Sequence, residues 1–223
     1  MSAAALAVVL VPALGIAWSP VPLEAAIAML RTERGRSLGA LFVVGYVAAL
    51  ALLAYLALLV AGVGHYRPGS PTYSRVGWLE VLLGLFLWGQ VWRRWRLRPS
   101  SGEPDQPPVW VGQIAEFTGL RTIGVATGLA IANPKNVVLT AVAMIGVAAL
   151  PTGSGTAYLA FVVLSCSALA LLVIADLPAP QRVGPRLDVL RQWLGDHNTA
   201  IAITSLIVLG GVVLSRGLEA LAR

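Results

Sequence analysis

The sequence predicts an all-α integral membrane protein with six transmembrane helices, built as two inverted three-helix repeats. Three observations carry that expectation. The chain has too little charge to cover a water-facing surface, it contains six long apolar runs, and two of those runs are broken by proline at matching places in the two halves.

Of 223 residues, 57% are apolar and 12% charged, and the mean hydropathy is +0.80. A soluble domain carries about 45–50% apolar and about 25% charged residues. One membrane-spanning helix takes about 20 apolar residues, so the chain has material for roughly six. This composition excludes a disordered protein, a coiled coil, a disulfide-rich module and a large soluble catalytic domain. The single cysteine, Cys166, lies in the apolar run 161–175 and permits no intramolecular disulfide, CxxC redox pair or cysteine metal cluster. The net charge of +6 is spread over short loops, so no nucleic-acid partner is expected; in a membrane protein such a spread signals orientation.

The apolar runs cover residues 4–30, 38–63, 76–92, 120–150, 157–175 and 199–215. None alternates with period two as a barrel strand would, so backbone satisfaction in lipid leaves helices. The first run is too long for a signal-peptide core and has no Lys or Arg before it, so it reads as a retained span. Residues 100–108, SSGEPDQPP, read as a flexible linker. The expected organisation is a first repeat over 1–97, a cytoplasmic linker and interfacial segment over 98–116, and a second repeat over 117–223. Residues 188–193, in a basic stretch, suggest a short interfacial helix.

Arg31, Arg34, Arg36, Arg93, Arg94, Arg96, Arg98, Arg121, Arg182, Arg186 and Arg191 fall in loops on one face, against Arg67, Arg75, Arg216 and Arg223 on the other. The positive-inside rule puts the larger group in the cytoplasm. The expected location is therefore the inner (plasma) membrane, multi-pass, with both termini extracytoplasmic. Trp78, Trp92, Trp95, Trp110 and Trp193 fall near the expected interfaces and read as anchors.

An offset of 114 aligns Pro20 with Pro134, setting Ala17-Trp18-Ser19-Pro20-Val21-Pro22 over Ile131-Ala132-Asn133-Pro134-Lys135-Asn136. Each segment lies in the first span of its half. With three spans per half, the second half enters from the opposite side, which makes an inverted repeat of the kind many secondary transporters use. Proline removes a helical hydrogen bond, and in lipid the freed carbonyls need protein or a watery cavity. The expected substrate-binding or translocation residues are therefore Ser19, Pro20, Pro22, Glu24, Asn133, Pro134, Lys135 and Asn136, meeting near the midplane. Packing kinks are the structural alternative.

Three ionisable residues lie inside spans: Glu24, Glu80 and Lys135. A charge at mid-bilayer costs at least about 2.5–3.5 kcal/mol and is tolerated by facing a partner or a cavity. Lys135 and Glu24 are expected to face one cavity, binding an anionic substrate group or relaying protons; a static ion pair between the halves is the alternative. Glu80 is a further coupling candidate, or a cap at the outer end of its span. His65 and His197 have no second metal ligand at useful spacing, so no metal and no cofactor are expected. Glycines such as Gly39, Gly45, Gly84 and Gly89 read as points of close helix approach, and Gly210-Gly211 as packing or a bend.

These stretches resemble the lysine-exporter (LysE) superfamily, and most of all its actinobacterial Sap/GAP branch, the sulfolipid- and glycopeptidolipid-addressing proteins. The likeness is carried by the run from Ala13 through Ser19-Pro20-Val21-Pro22 to Met29-Leu30, the basic turn into the Gly45-Tyr46 span, Pro108-Val109-Trp110, and Gly128 through Asn133-Pro134-Lys135-Asn136. The resemblance implies a six-helix, LysE-like fold and a role in moving lipid or glycolipid products toward the cell surface. It also implies envelope-lipid synthesis or export machinery as partners, and leaves room for a homodimer. Amino-acid exporters of the superfamily typically carry Gly-Pro and a downstream Asn in the first motif, where this chain has Ser-Pro-Val-Pro and Glu24.

No nucleotide-binding motif and no interfacial cluster of His, Asp or Glu is present in the sequence, so the expected function is secondary transport and not enzymatic catalysis. An exporter of amino acids or other small solutes, or a non-transporting scaffold of a lipid-export complex, are the other readings.

Overall fold

The computed structural model describes residues 3–62, 71–96, 117–176, 178 and 180–222. The 98–116 linker, with its Pro108-Val109-Trp110 motif, lies outside the described residues, as do His65, Arg67, Arg98 and Arg223. Among the described residues the chain is wholly helical: α1 (Ala3–Ala17), α2 (Pro20–Leu30), α3 (Gly35–Gly62), α4 (Pro71–Arg96), α5 (Gly119–Ile131), α6 (Pro134–Ala148), α7 (Ser154–Asp176), α8 (Pro180–Asp196) and α9 (Asn198–Ala222).

Both expected breaks occur, and in the same form. Ser19 (φ −89°, ψ 113°) and Asn133 (φ −80°, ψ 111°) each leave the helical region immediately before a proline that opens the next helix. This is the extended backbone a pre-proline residue prefers, and the first helical position is where proline's missing N–H costs nothing. The chain bends by 51° between α1 and α2 and by 63° between α5 and α6.

Helices α3, α7 and α9 are long and apolar enough to cross a membrane, and counting each bent pair as one span raises the number to five. The expected span 76–92 lies in α4, whose 26 residues are long enough but are made less apolar by Glu80, Gln90 and the closing arginines. The expected interfacial helix is longer than its 188–193 core: α8 has 17 residues, burying Leu187 and Leu194 while exposing Arg182 and Arg186. These features are those of a multi-pass membrane protein.

α4 packs along α9, α3 against α5, and α1 against α7. Glycine sets the α4–α9 approach. A Cβ on Gly84 would lie 2.9 Å from the Leu214 amide nitrogen, one on Gly217 2.7 Å from that of Val81, and one on Gly210 would strike the Trp88 ring. Small residues at a crossing allow this backbone proximity. Gly45 fits closely against Ala126 and Ile123 of α5, whereas Gly89 faces open space.

Side-chain contacts define two ends of the assembly. At one end, Leu30 meets Gly39 and Gly39 lies near Val173. There Gly119 meets Leu41, and Arg31 pairs with Asp188 at 3.1 Å. This end gathers the basic starts and stops of α2, α3, α5 and α8. At the other end the start of α1, the start of α4, the end of α6 and the end of α9 come together around Val8, Glu80, Gly146 and Arg216.

Candidate functional site

The two breaks leave carbonyls without donors. Pro134 has no N–H for the carbonyl four residues earlier, that of Ala130, and Gly15 lies in the last turn of α1, where carbonyls lack intrahelical partners. Buried carbonyls of this kind must find donors elsewhere. Two consecutive residues of α6 supply them. Asn136 Nδ2 donates to the Ala130 carbonyl (3.1 Å), the Leu129 carbonyl (3.4 Å) and the Tyr46 hydroxyl on α3 (3.0 Å). Lys135 reaches in the other direction, its Nζ donating to the Gly15 carbonyl at 2.8 Å. Its positive charge thereby sits at the C-terminal end of α1, where the helix dipole favours a cation.

Between the breaks lies a polar cavity of about 40 Å³, lined by Ser19, Pro20, Val21, Asn133, Pro134 and Lys135, and by Gln90 and Arg94 of α4 and Asn198, Ala202 and Leu206 of α9. The first six are the opening residues of α2 and α6, so two positive helix ends face the same space. The Asn133 side chain accepts from the Lys135 amide at 3.1 Å and closes the α6 end, while Ser19 makes no side-chain cap bond. Lys135 and Arg94 add two cationic side chains, and no described lining residue is acidic. Helix N-termini and cationic side chains are groups that favour negative charge.

The expected site residues therefore separate. Ser19, Pro20, Asn133, Pro134 and Lys135 come together at the cavity. Asn136 is fully buried and serves as an internal clasp. Pro22 and Glu24 are buried in α2 and do not line the cavity. Glu24 lies one turn beyond Pro20 on the same face of α2, about 6 Å along the axis.

Glu80 belongs to a different site. It is buried on α4, with Arg216 of α9 3.8 Å away. Both line a cleft of about 300 Å³ together with Val8, Gly146 and Glu219 at the opposite end of the assembly. The apolar run 199–215 predicts that Arg216 lies just past the last span; α9 instead continues to Ala222 and brings Arg216 to Glu80 of α4.

Gly15, Arg94 and Asn198 were missed. In the sequence Arg94 reads as one of the cytoplasmic orientation charges, and Gly15 contributes only a backbone atom. Gly15 does, however, fall within the last turn before the Ser-Pro break, where an orphan carbonyl is expected.

A family model described as Sap, sulfolipid-1-addressing protein, matches residues 9–219, both breaks included. The chain belongs to this family. Neither a curated protein nor a solved structure matches it. The family description concerns lipid addressing, and the chain is a helical membrane protein of that group.

Proposed function

We propose that this protein is a secondary carrier that moves a lipid or glycolipid, or its precursor, toward the surface of the cell envelope by binding an anionic group between its two broken helices. The observation that carries the proposal is the meeting of the α2 and α6 starts around Lys135, with Arg94 alongside. Two helix N-termini directed at one space are the arrangement by which broken-helix transporters hold anionic groups.

The same reading takes the chain as six spans in two inverted halves, with α1–α2, α3 and α4 equivalent to α5–α6, α7 and α9. The matched backbone at Ser19 and Asn133 supports it. So does the packing, since exchanging the halves turns the α3–α5 pair into α7–α1 and leaves α4–α9 paired. The basic end is then cytoplasmic and both termini extracytoplasmic in the plasma membrane. The 40 Å³ cavity holds no more than a water or small ion, so admitting a headgroup requires the breaks to part. Glu80 and Arg216, in the cleft at the far end, are candidates for coupling on release.

Flux in proteoliposomes, comparing anionic lipids with amino acids, tests the proposal. Loss of lipid flux in folded Lys135→Ala supports it, and full flux in Lys135→Ala, Glu24→Ala and the double variant overturns it. The satisfied state of Lys135 favours one second reading, a non-transporting scaffold of an envelope-lipid complex in which Lys135 only ties the halves together. No flux of any candidate, with partner proteins retained on purification, would establish that reading. Faster flux of amino acids than of lipids would point to a LysE-like small-solute exporter.

A further inference from the structure

The polar cavity accounts for an anionic group but not for the hydrocarbon of a lipid. An open, almost wholly apolar groove of about 550 Å³ runs beside it, between α1 and the corner of α8 and α9. Val11, Leu14 and Gly15 form one wall, and Ile201, Val208 and Leu209 the other.

Two features tie this groove to the polar site. Gly15 lines the groove, and its carbonyl holds the Lys135 ammonium. Helix α9 separates the two spaces: Asn198, Ala202 and Leu206, spaced four apart on one face, border the polar cavity, while Ile201, Ser205 and Val208 border the groove. At the groove's mouth Trp193 and His197 stack with ring centroids 4.9 Å apart. That mouth lies on the corner between the amphipathic α8 and α9, where a Trp ring suits the boundary between headgroups and hydrocarbon.

We infer that this groove seats an acyl chain of the transported lipid while its anionic group lies against Lys135, so that the substrate enters sideways from the bilayer past α9. The inference rests on the anion-site reading above and adds the route and the tail site. A concave apolar surface beside a charged site, with only α9 between them, fits an amphipathic ligand that straddles the helix, and a small hydrophilic solute would have no use for it.

The full chain, reconstituted in phosphatidylcholine vesicles, is to be photolabelled with a sulfated glycolipid carrying a diazirine in one acyl chain. Labelling is expected at Val11, Leu14 and residues 201–208. It should fall about tenfold with excess unlabelled sulfated glycolipid or in Lys135→Ala, the loss of one charge-assisted contact. Thr204→Trp and Val208→Trp, at lipid-exposed positions that fill the groove, should abolish this labelling while leaving binding of the tail-less sulfated sugar unchanged. Equal labelling of the exposed α3 surface at Val44 and Val60, or indifference to Lys135→Ala, overturns the inference. Cross-links between two copies along the groove assign it to a dimer and overturn it likewise. The tail-less sugar tests the polar site separately. Its failure to bind removes the anion site itself, whereas its binding together with non-selective labelling overturns the groove alone.

Discussion

The Lys135 ammonium donates a 2.8 Å hydrogen bond to the carbonyl oxygen of Gly15, 120 residues earlier in the chain. One break in the fold thus supplies the donor that the other lacks, and the cation that completes α1 also lines the cavity between the halves. Two properties meet in one side chain: it satisfies a part-buried backbone acceptor, and it brings a positive charge to the wall of the cavity.

Replacing Lys135 separates these properties. Lys135→Met should lower stability by about 1–3 kcal/mol, the cost of a buried acceptor left without its donor, and should abolish anion binding. Lys135→Arg should restore much of the stability but less of the binding, since the planar fork does not reproduce the ammonium's reach. Unfolding of the purified protein in detergent and binding of a sulfated sugar read the two effects independently.

Asn136 should behave differently from its neighbour. Asn136→Leu withdraws the donor from the Ala130 carbonyl and from the Tyr46 hydroxyl and is expected to cost about 1–3 kcal/mol. Tyr46→Phe removes only one of those partners and should cost less. A double-mutant cycle should show coupling of about 0.5–1.5 kcal/mol between Asn136 and Tyr46. Additive losses would show that the hydroxyl contributes nothing to the clasp.

The α4–α9 pair depends on its glycines. Gly84→Leu and Gly217→Leu place side chains against the opposing backbone and should prevent assembly or sharply lower the unfolding temperature. Gly89→Leu, on an open face of the same helix, should be tolerated. Comparing the yield of monodisperse protein among the three variants checks this, and equal behaviour would contradict the close crossing.

At the far end, Arg216→Ala leaves the Glu80 carboxylate buried without its countercharge and should destabilise more than Glu80→Gln, because an isolated buried charge is costlier than a neutral amide. Adding Glu80→Gln to Arg216→Ala should recover part of the loss. The Arg31–Asp188 pair, whose side chains are 35% and 52% exposed, should be worth at most about 1 kcal/mol. Asp188→Ala should accordingly shift the unfolding midpoint little, and less still at high salt.

The sequence by itself determined the features that depend on local chemistry. Apolar content and run length placed the chain in a membrane. Pro20 and Pro134 each open a new helix behind a residue of N-capping type in extended backbone, Ser19 and Asn133, whereas Pro12, which has no such residue before it, lies inside α1. Tertiary structure alone decided which group answers each break. That Lys135 meets Gly15, that Asn136 turns back to Ala130 and that Arg216 faces Glu80 all follow from bend angles and helix crossings. A missing donor is a property of one residue, whereas its replacement is a property of two segments brought within hydrogen-bonding distance by packing.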